Sequence, residues 1–277
     1  MTLTQISDET IPSSPAINEG QIYAVAFALF ALAAGFTLYF AWSMRDGMSM
    51  PGGWTMSMMW MAMPNEARIQ AALVLLGMWL AMMVAMMLPS TLPMLLLYRR
   101  TLLSRHARHP DSLMWTAAAG YFLVWSIFGA AVYLLGMAFA RSAMISPAIS
   151  RAMPLLSGGA LILAGLYQLT AWKFACLQHC RNPIVALAHY QRGRSHRESM
   201  RAFRLGFHHG AFCTGCCWAL MLIQLTLGVM NIATMVAVAA VIAFEKLIPR
   251  GAPVARVVGI GAMVAGLFVI AGSLLAR

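Results

Sequence analysis

The stretch FHHGAFCTGCCW, residues 207–218, sets two histidines and three cysteines within twelve positions, in a chain that holds five cysteines in all. The other two, Cys176 and Cys180, lie at i and i+4 upstream. Residues three and four apart share a helix face. Helical geometry therefore aligns Cys176 with Cys180, aligns Cys213 with Cys216 and Cys217, and puts His209 one turn before Cys213. Thiolate and imidazole donors suit zinc, copper(I) or an iron–sulfur cluster. A structural zinc site takes four such ligands. Cys176, Cys180, Cys213 and either Cys216 or Cys217 supply four, and His209 or His179 can replace one. A single buried cysteine packs as a small hydrophobe, but five in two short clusters beside histidines favour metal or redox chemistry. An i,i+4 pair makes a poor disulfide; a transient catalytic disulfide between Cys213 and Cys216 is the redox alternative.

Methionine is the second soft donor. Of 24 methionines, 14 fall between Met44 and Met94. Met78, Met82 and Met86 share one helical stripe, with Met83 and Met87 beside it. Thioethers select copper(I) over hard ions, although methionine also fills irregular gaps in apolar cores. Met48, Met50, Met56, Met58, Met59, Met61 and Met63 cluster outside any span, where soft-metal contact competes with packing.

These groups must be positioned by membrane helices. The 277-residue chain is 61% hydrophobic and 10% charged, whereas a soluble domain carries about 25% charged residues. Apolar runs of about 20 residues, enough to cross a bilayer, recur along it. They read as Gln21–Trp42, Ile69–Tyr98, Leu113–Ala140, Leu155–Phe174, Ala211–Val229, Ile232–Leu247 and Val254–Ala276. The expected fold is all-α, a polytopic transmembrane helical bundle of about seven spans (six to seven). Residues 1–20 form a polar tail and 21–277 a single membrane domain. The sixth span is short and pairs with the fifth through a turn at Gly228–Asn231. Residues 43–68 read as a Met-rich loop or interfacial helix, and Pro89 and Pro93 as kinks in the second span. The fourth helix is expected to carry Cys176 and Cys180 onward until Pro183 ends it, and Cys213 to open the fifth.

A net charge of +11 raises nucleic acid as a partner, but no recognition motif accompanies it. The basic residues follow topology instead. Fourteen of 19, including Lys173 and Lys246, fall on one side of the expected spans and five on the other. Positive residues favour the cytoplasm, which places the N-terminus and the 99–112 and 173–210 loops there. The 43–68 segment and the C-terminus then lie outside the inner membrane. Glu245–Lys246 is an ionisable pair at the end of a span, either functional or an anchor. H-E-x-x-H, G-x-S-x-G and P-loop motifs are all missing, so the sequence offers little for an enzyme.

WLAMMVAMMLPS (79–90), YQLTAWKFACLQHCRNP (167–183), HHGAFCTGCCW (208–218), GVMNIATM (228–235) and FEKLIP (244–249), in this order, resemble a bacterial family of predicted metal-binding integral membrane proteins. The resemblance spans roughly Met56 to Pro249. It implies that Met83, Met86, Met87, Cys176, Cys180, Cys213, Cys216, Cys217, Met230, Asn231, Glu245 and Lys246 belong to the family pattern.

The residues thus predict a multi-pass membrane protein that handles copper(I), with zinc as the alternative ion. The expected metal-site residues are Cys176, Cys180, Cys213, Cys216, Cys217, His209, Met82, Met83, Met86 and Met87. The expected partners are the lipid bilayer, the metal ion and a copper chaperone or copper enzyme. A zinc-clamped helix pair of structural role and a membrane thiol oxidoreductase are the competing readings.

Overall fold

A computed structural model of the chain describes residues 18–44, 47–57, 60, 68–182, 198–248 and 251–275. Eight helices and one β-hairpin make up the described residues. In chain order they are α1 (Glu19–Ser43), β1 (Gly47–Met50), β2 (Trp54–Ser57), α2 (Arg68–Leu103), α3 (Pro110–Ile145), α4 (Pro147–Gln168), α5 (Ala171–Arg181), α6 (Glu198–Gly228), α7 (Ile232–Leu247) and α8 (Gly251–Leu275). This is the all-α bundle expected.

Six helices are long and apolar enough to cross a membrane: α1, residues 72–103 of α2, α3, α4, α6 and α8. The sixth expected span, α7, has 16 residues, about 24 Å at the helical rise and short of a hydrocarbon core of about 30 Å. Its connection is the expected turn, with Asn231 capping α7 by accepting from the Thr234 amide at 3.1 Å. Large apolar side chains such as Phe27, Leu32, Leu134 and Phe268 point outward from the bundle, a surface suited to lipid rather than water.

Two elements differ from the sequence reading. The segment after α1 is a β-hairpin, not an interfacial helix. Gly52 and Gly53 both adopt positive φ, which lets β1 turn back onto β2 and pairs Met48 with Met56 and Met50 with Trp54. The hairpin docks on the start of α4, where Trp54 Nε1 donates to the Ser150 carbonyl at 2.9 Å and Ser150 Oγ donates to the Pro51 carbonyl at 2.7 Å. Met50 and Met56 are buried there against Ala140 and Ala143. Met58, Met59, Met61, Met63 and the polar tail through residue 17 lie outside the described residues.

Second, the fourth span does not continue into the cysteines. It ends at Gln168, and α5 starts separately, N-capped by Thr170, whose hydroxyl accepts from the Lys173 amide at 3.3 Å. That break redirects the chain so that α5 packs on α6 and α7. Arg181 ends α5, and Asn182 has left helical geometry, as the following Pro183 requires.

Close helix approach organises the core. A Cβ at Gly206 of α6 would overlap the Ala117 carbonyl of α3. This contact carries the helix of α6 fifteen residues upstream of Cys213, through a stretch that reads as a polar loop. The thiols consequently sit mid-helix rather than at its mouth. Gly206→Ala should destabilise the detergent-solubilised protein strongly, by the 1–3 kcal/mol typical of overpacking or more. Gly35→Ala, with nothing within 4 Å of the added methyl, should leave the thermal midpoint unchanged. Equal midpoints for the two variants would refute the packing assignment.

Candidate metal centre

One face of α6 carries Cys213, Cys216, Cys217, Leu220 and Gln224, all buried. Their spacing of three and four residues makes the stripe, and the α3 packing at Gly206 turns it inward. The three sulfurs lie within 4.8 Å of one another. Cys216 Sγ is 3.3 Å from Cys217 Sγ and 3.8 Å from Cys180 Sγ of α5. All five cysteines are free. Four thiolates around zinc at about 2.3 Å place their sulfurs about 3.8 Å apart, so the Cys180–Cys216 separation already suits a shared ion.

Cys213 has two further polar neighbours. Lys246 Nζ of α7 donates to its sulfur at 2.9 Å, and Tyr121 Oη of α3 meets the same sulfur at 2.9 Å. Lys246 Nζ also reaches Ser90 Oγ at 3.4 Å and Met87 Sδ at 3.8 Å on α2. One ammonium thus links thiol and thioether.

Next to it lies a buried ion pair. Lys173 Nζ is 2.7 Å from Glu245 Oε2, with side-chain exposures of 0% and 1%. The same ammonium donates to the Cys216 carbonyl at 2.5 Å. Lys173 therefore ties α5, α6 and α7 together at the level of the thiols.

Of the ten residues expected at a metal site, Cys180, Cys213, Cys216 and Cys217 converge, and Met87 joins them through Lys246. Met82, Met83 and Met86 are buried in the same core on α2, where Gln224 Nε2 donates to Met82 Sδ at 3.4 Å. Cys176 takes a different place. Its sulfur rests on Gly215, 3.1 Å from where a Cβ would sit, beside the Gly215 carbonyl that accepts from Tyr167 Oη at 2.7 Å. His209 is buried one turn from Cys213, its ring 5.8 Å from that of Tyr121. In α5, outside the spans, burial raises the Cys176 thiol above its ordinary range. Burial also lowers His179, and His208 adds to that shift.

Sequence reasoning missed Tyr121 and Lys173. Lys173 reads as a loop charge, yet the fold buries it completely against Glu245. Lys246 likewise faces the site. Breaking a buried pair leaves an uncompensated charge and costs about 3–5 kcal/mol. Lys173→Met should therefore lower the thermal midpoint sharply. The double replacement Lys173→Met with Glu245→Leu should recover most of the loss. A single variant as stable as the parent would sink this account.

The comparisons with known proteins bear on the same region. No curated protein and no solved structure matches the chain. A family model described as PpoB2, copper chaperone, matches residues 76–269, a range that includes α3 to α7 whole, the methionine face of α2 and all five cysteines. With a match over more than half of its length, the chain belongs to the PpoB2 copper chaperone family.

Proposed function

We propose that the protein is a membrane-embedded chaperone that binds copper(I) on the thiols of Cys213, Cys216, Cys217 and Cys180 and passes it on by ligand exchange. The observation that carries this reading is the convergence of three buried α6 thiols within 4.8 Å, with a fourth from α5 at 3.8 Å. Soft thiolates select copper(I), and helix-borne ligands hold their spacing. Copper is the cargo, so the site must release it as well as bind it.

The methionines supply the exchange path in this reading. Met78, Met82, Met83, Met86 and Met87 are all buried on α2. From Met78 to Met87 the helix rises about 13 Å, and Met87 ends beside Lys246 and Cys213. Neutral thioethers hold copper(I) without proton release, which suits short residence. Lys246 supplies a positive charge where metal-bound thiolates would accumulate negative charge in an apolar setting. The excess of basic residues on one side supports a reading with the thiols toward the cytoplasm and the hairpin end of α2 outside an inner membrane. A copper enzyme on the far side is the recipient consistent with that path.

The Cys180–Cys216 contact also favours a second reading, a zinc clamp between α5 and α6. One experiment separates the two. Reduced, detergent-purified protein should bind one copper(I) per chain in competition with a chromogenic chelator. The triple variant Cys213→Ser, Cys216→Ser, Cys217→Ser should lose at least a hundredfold in affinity. Met82, Met83, Met86 and Met87 changed together to Leu should leave the affinity within a few fold and slow loading. Purification with tightly held zinc that copper(I) cannot displace would favour the clamp. Copper binding retained by the triple variant would overturn the proposal.

A further inference from the structure

Beside the thiols stands a group of side chains to which the copper path assigns no role. His179 of α5 and His208 of α6 face each other with ring centroids 5.2 Å apart and planes at 70°. Phe212 covers both rings, stacked on His179 at 3.9 Å and edge-on to His208 at 4.8 Å. His209 follows directly, 4% exposed, and lies one turn before Cys213. Nε2 of His179 and Nδ1 of His209 are buried, and neither has a hydrogen-bond partner among the described residues.

Two observations point the same way. Buried polar atoms are nearly always satisfied, and an orphan needs an explanation such as an absent ion or water. Packing alone would be served by phenylalanine, which carries no nitrogen to desolvate. The ring spacing fits a shared ion as well as edge-on ring packing. A metal about 2.0–2.1 Å beyond an imidazole nitrogen lies about 3.2 Å from that ring's centre, and two such vectors at a tetrahedral angle put the centres about 5.2 Å apart. That is the separation His179 and His208 show.

We propose that His179 and His208 form a second metal station of two imidazole ligands next to the thiol centre, with His209 buried one residue further along α6. Imidazole suits copper, zinc and nickel and is harder than thiolate. The station holds copper less tightly than the cysteines do. His179 adjoins Cys180 in sequence, and His209 lies one helical turn from Cys213, so the station touches the thiol centre from both α5 and α6. Copper arriving at or leaving the thiols then has a waypoint at the α5–α6 interface, separate from the methionines of α2. This assignment of a waypoint rests on the copper-handling reading above; the binding of metal by the imidazoles does not.

The test removes the thiols. Full-length protein with all five cysteines changed to serine, titrated with copper(II) in detergent, should bind one equivalent and show nitrogen hyperfine splitting from imidazole in its electron paramagnetic resonance spectrum. Adding His179→Phe and His208→Phe, which keep the ring packing on Phe212, should abolish that signal. A folded cysteine-free protein that binds no copper(II), or a signal that survives both phenylalanines, overturns the station. Where the cysteine-free protein fails to fold, His179→Phe with His208→Phe in the cysteine-intact chain decides. Copper(I) affinity should stay within a few fold while transfer to a soluble chelator slows at least tenfold; an unchanged transfer rate overturns the proposal. Loss of copper(I) binding by the cysteine-intact parent would instead count against the chaperone reading, leaving the imidazole result to stand or fall by itself.

Discussion

One ammonium holds the centre of this molecule together. Lys173 Nζ sits between the Glu245 carboxylate of α7 and the Cys216 carbonyl of α6, while its own backbone belongs to α5. A charge with almost no exposure is tolerated only when paired and hydrogen-bonded. The three helices must therefore meet at this level and at this spacing, and the thiols of α5 and α6 are carried to within 4 Å of each other as a consequence. The break at Leu169–Thr170 is what makes the meeting possible, because an unbroken fourth helix would continue along its own axis, away from α7.

The surroundings of the thiols are polarised along the same line. Lys246 and Tyr121 both address Cys213, from α7 and α3. Cys216 turns its weak S–H donor to the Cys213 carbonyl at 3.2 Å. The cluster is thus surrounded by directed partners rather than by hydrocarbon alone. A buried network of this kind favours a single arrangement of its members. Around it the core includes Met82, Met83, Met86, Met87, Met221 and Met235, whose thioether side chains adapt their packing at low cost. Rigid polar groups beside deformable thioethers suit a site that must both hold an ion and let it go.

Much of this was legible in one dimension. The 3–4 spacing of Cys213, Cys216 and Cys217 already required one helix face, and the i,i+4 spacing of Cys176 and Cys180 another. The apolar runs located the long helices to within a few residues, apart from α4, which starts eight residues and ends six residues before the expected span, and α6, whose first turns read as loop. They did so because hydrophobicity over about 20 residues is a local property. What failed was reasoning about polar residues near span ends. Lys173 reads as a loop charge, and Glu245–Lys246 as either functional or an anchor, because a sequence does not show which ionisable group will find a buried partner. Glu198 to Gly210 reads as loop because Arg201 and Arg204 continue the basic run upstream of it, and the value of Gly206 lies in a backbone on another helix. The hairpin was missed because four-residue strands leave almost no periodic signal.

By itself, then, the sequence determined the class of the protein and the chemistry of its donors: an apolar helical bundle bearing soft ligands in two cysteine groups and one methionine stripe. Residue type and short-range spacing suffice for that, since both follow from bonded geometry. Only the tertiary structure decided which donors share a site. It joined Cys180 to the α6 thiols, turned Cys176 aside onto Gly215, brought Tyr121 and Lys246 to Cys213, and set His179 against His208. Those juxtapositions depend on helix ends, crossing contacts and one buried ion pair, each involving residues tens of positions apart. No local rule connects such residues; they meet because burying a charge or closing a gap between helices leaves few other arrangements.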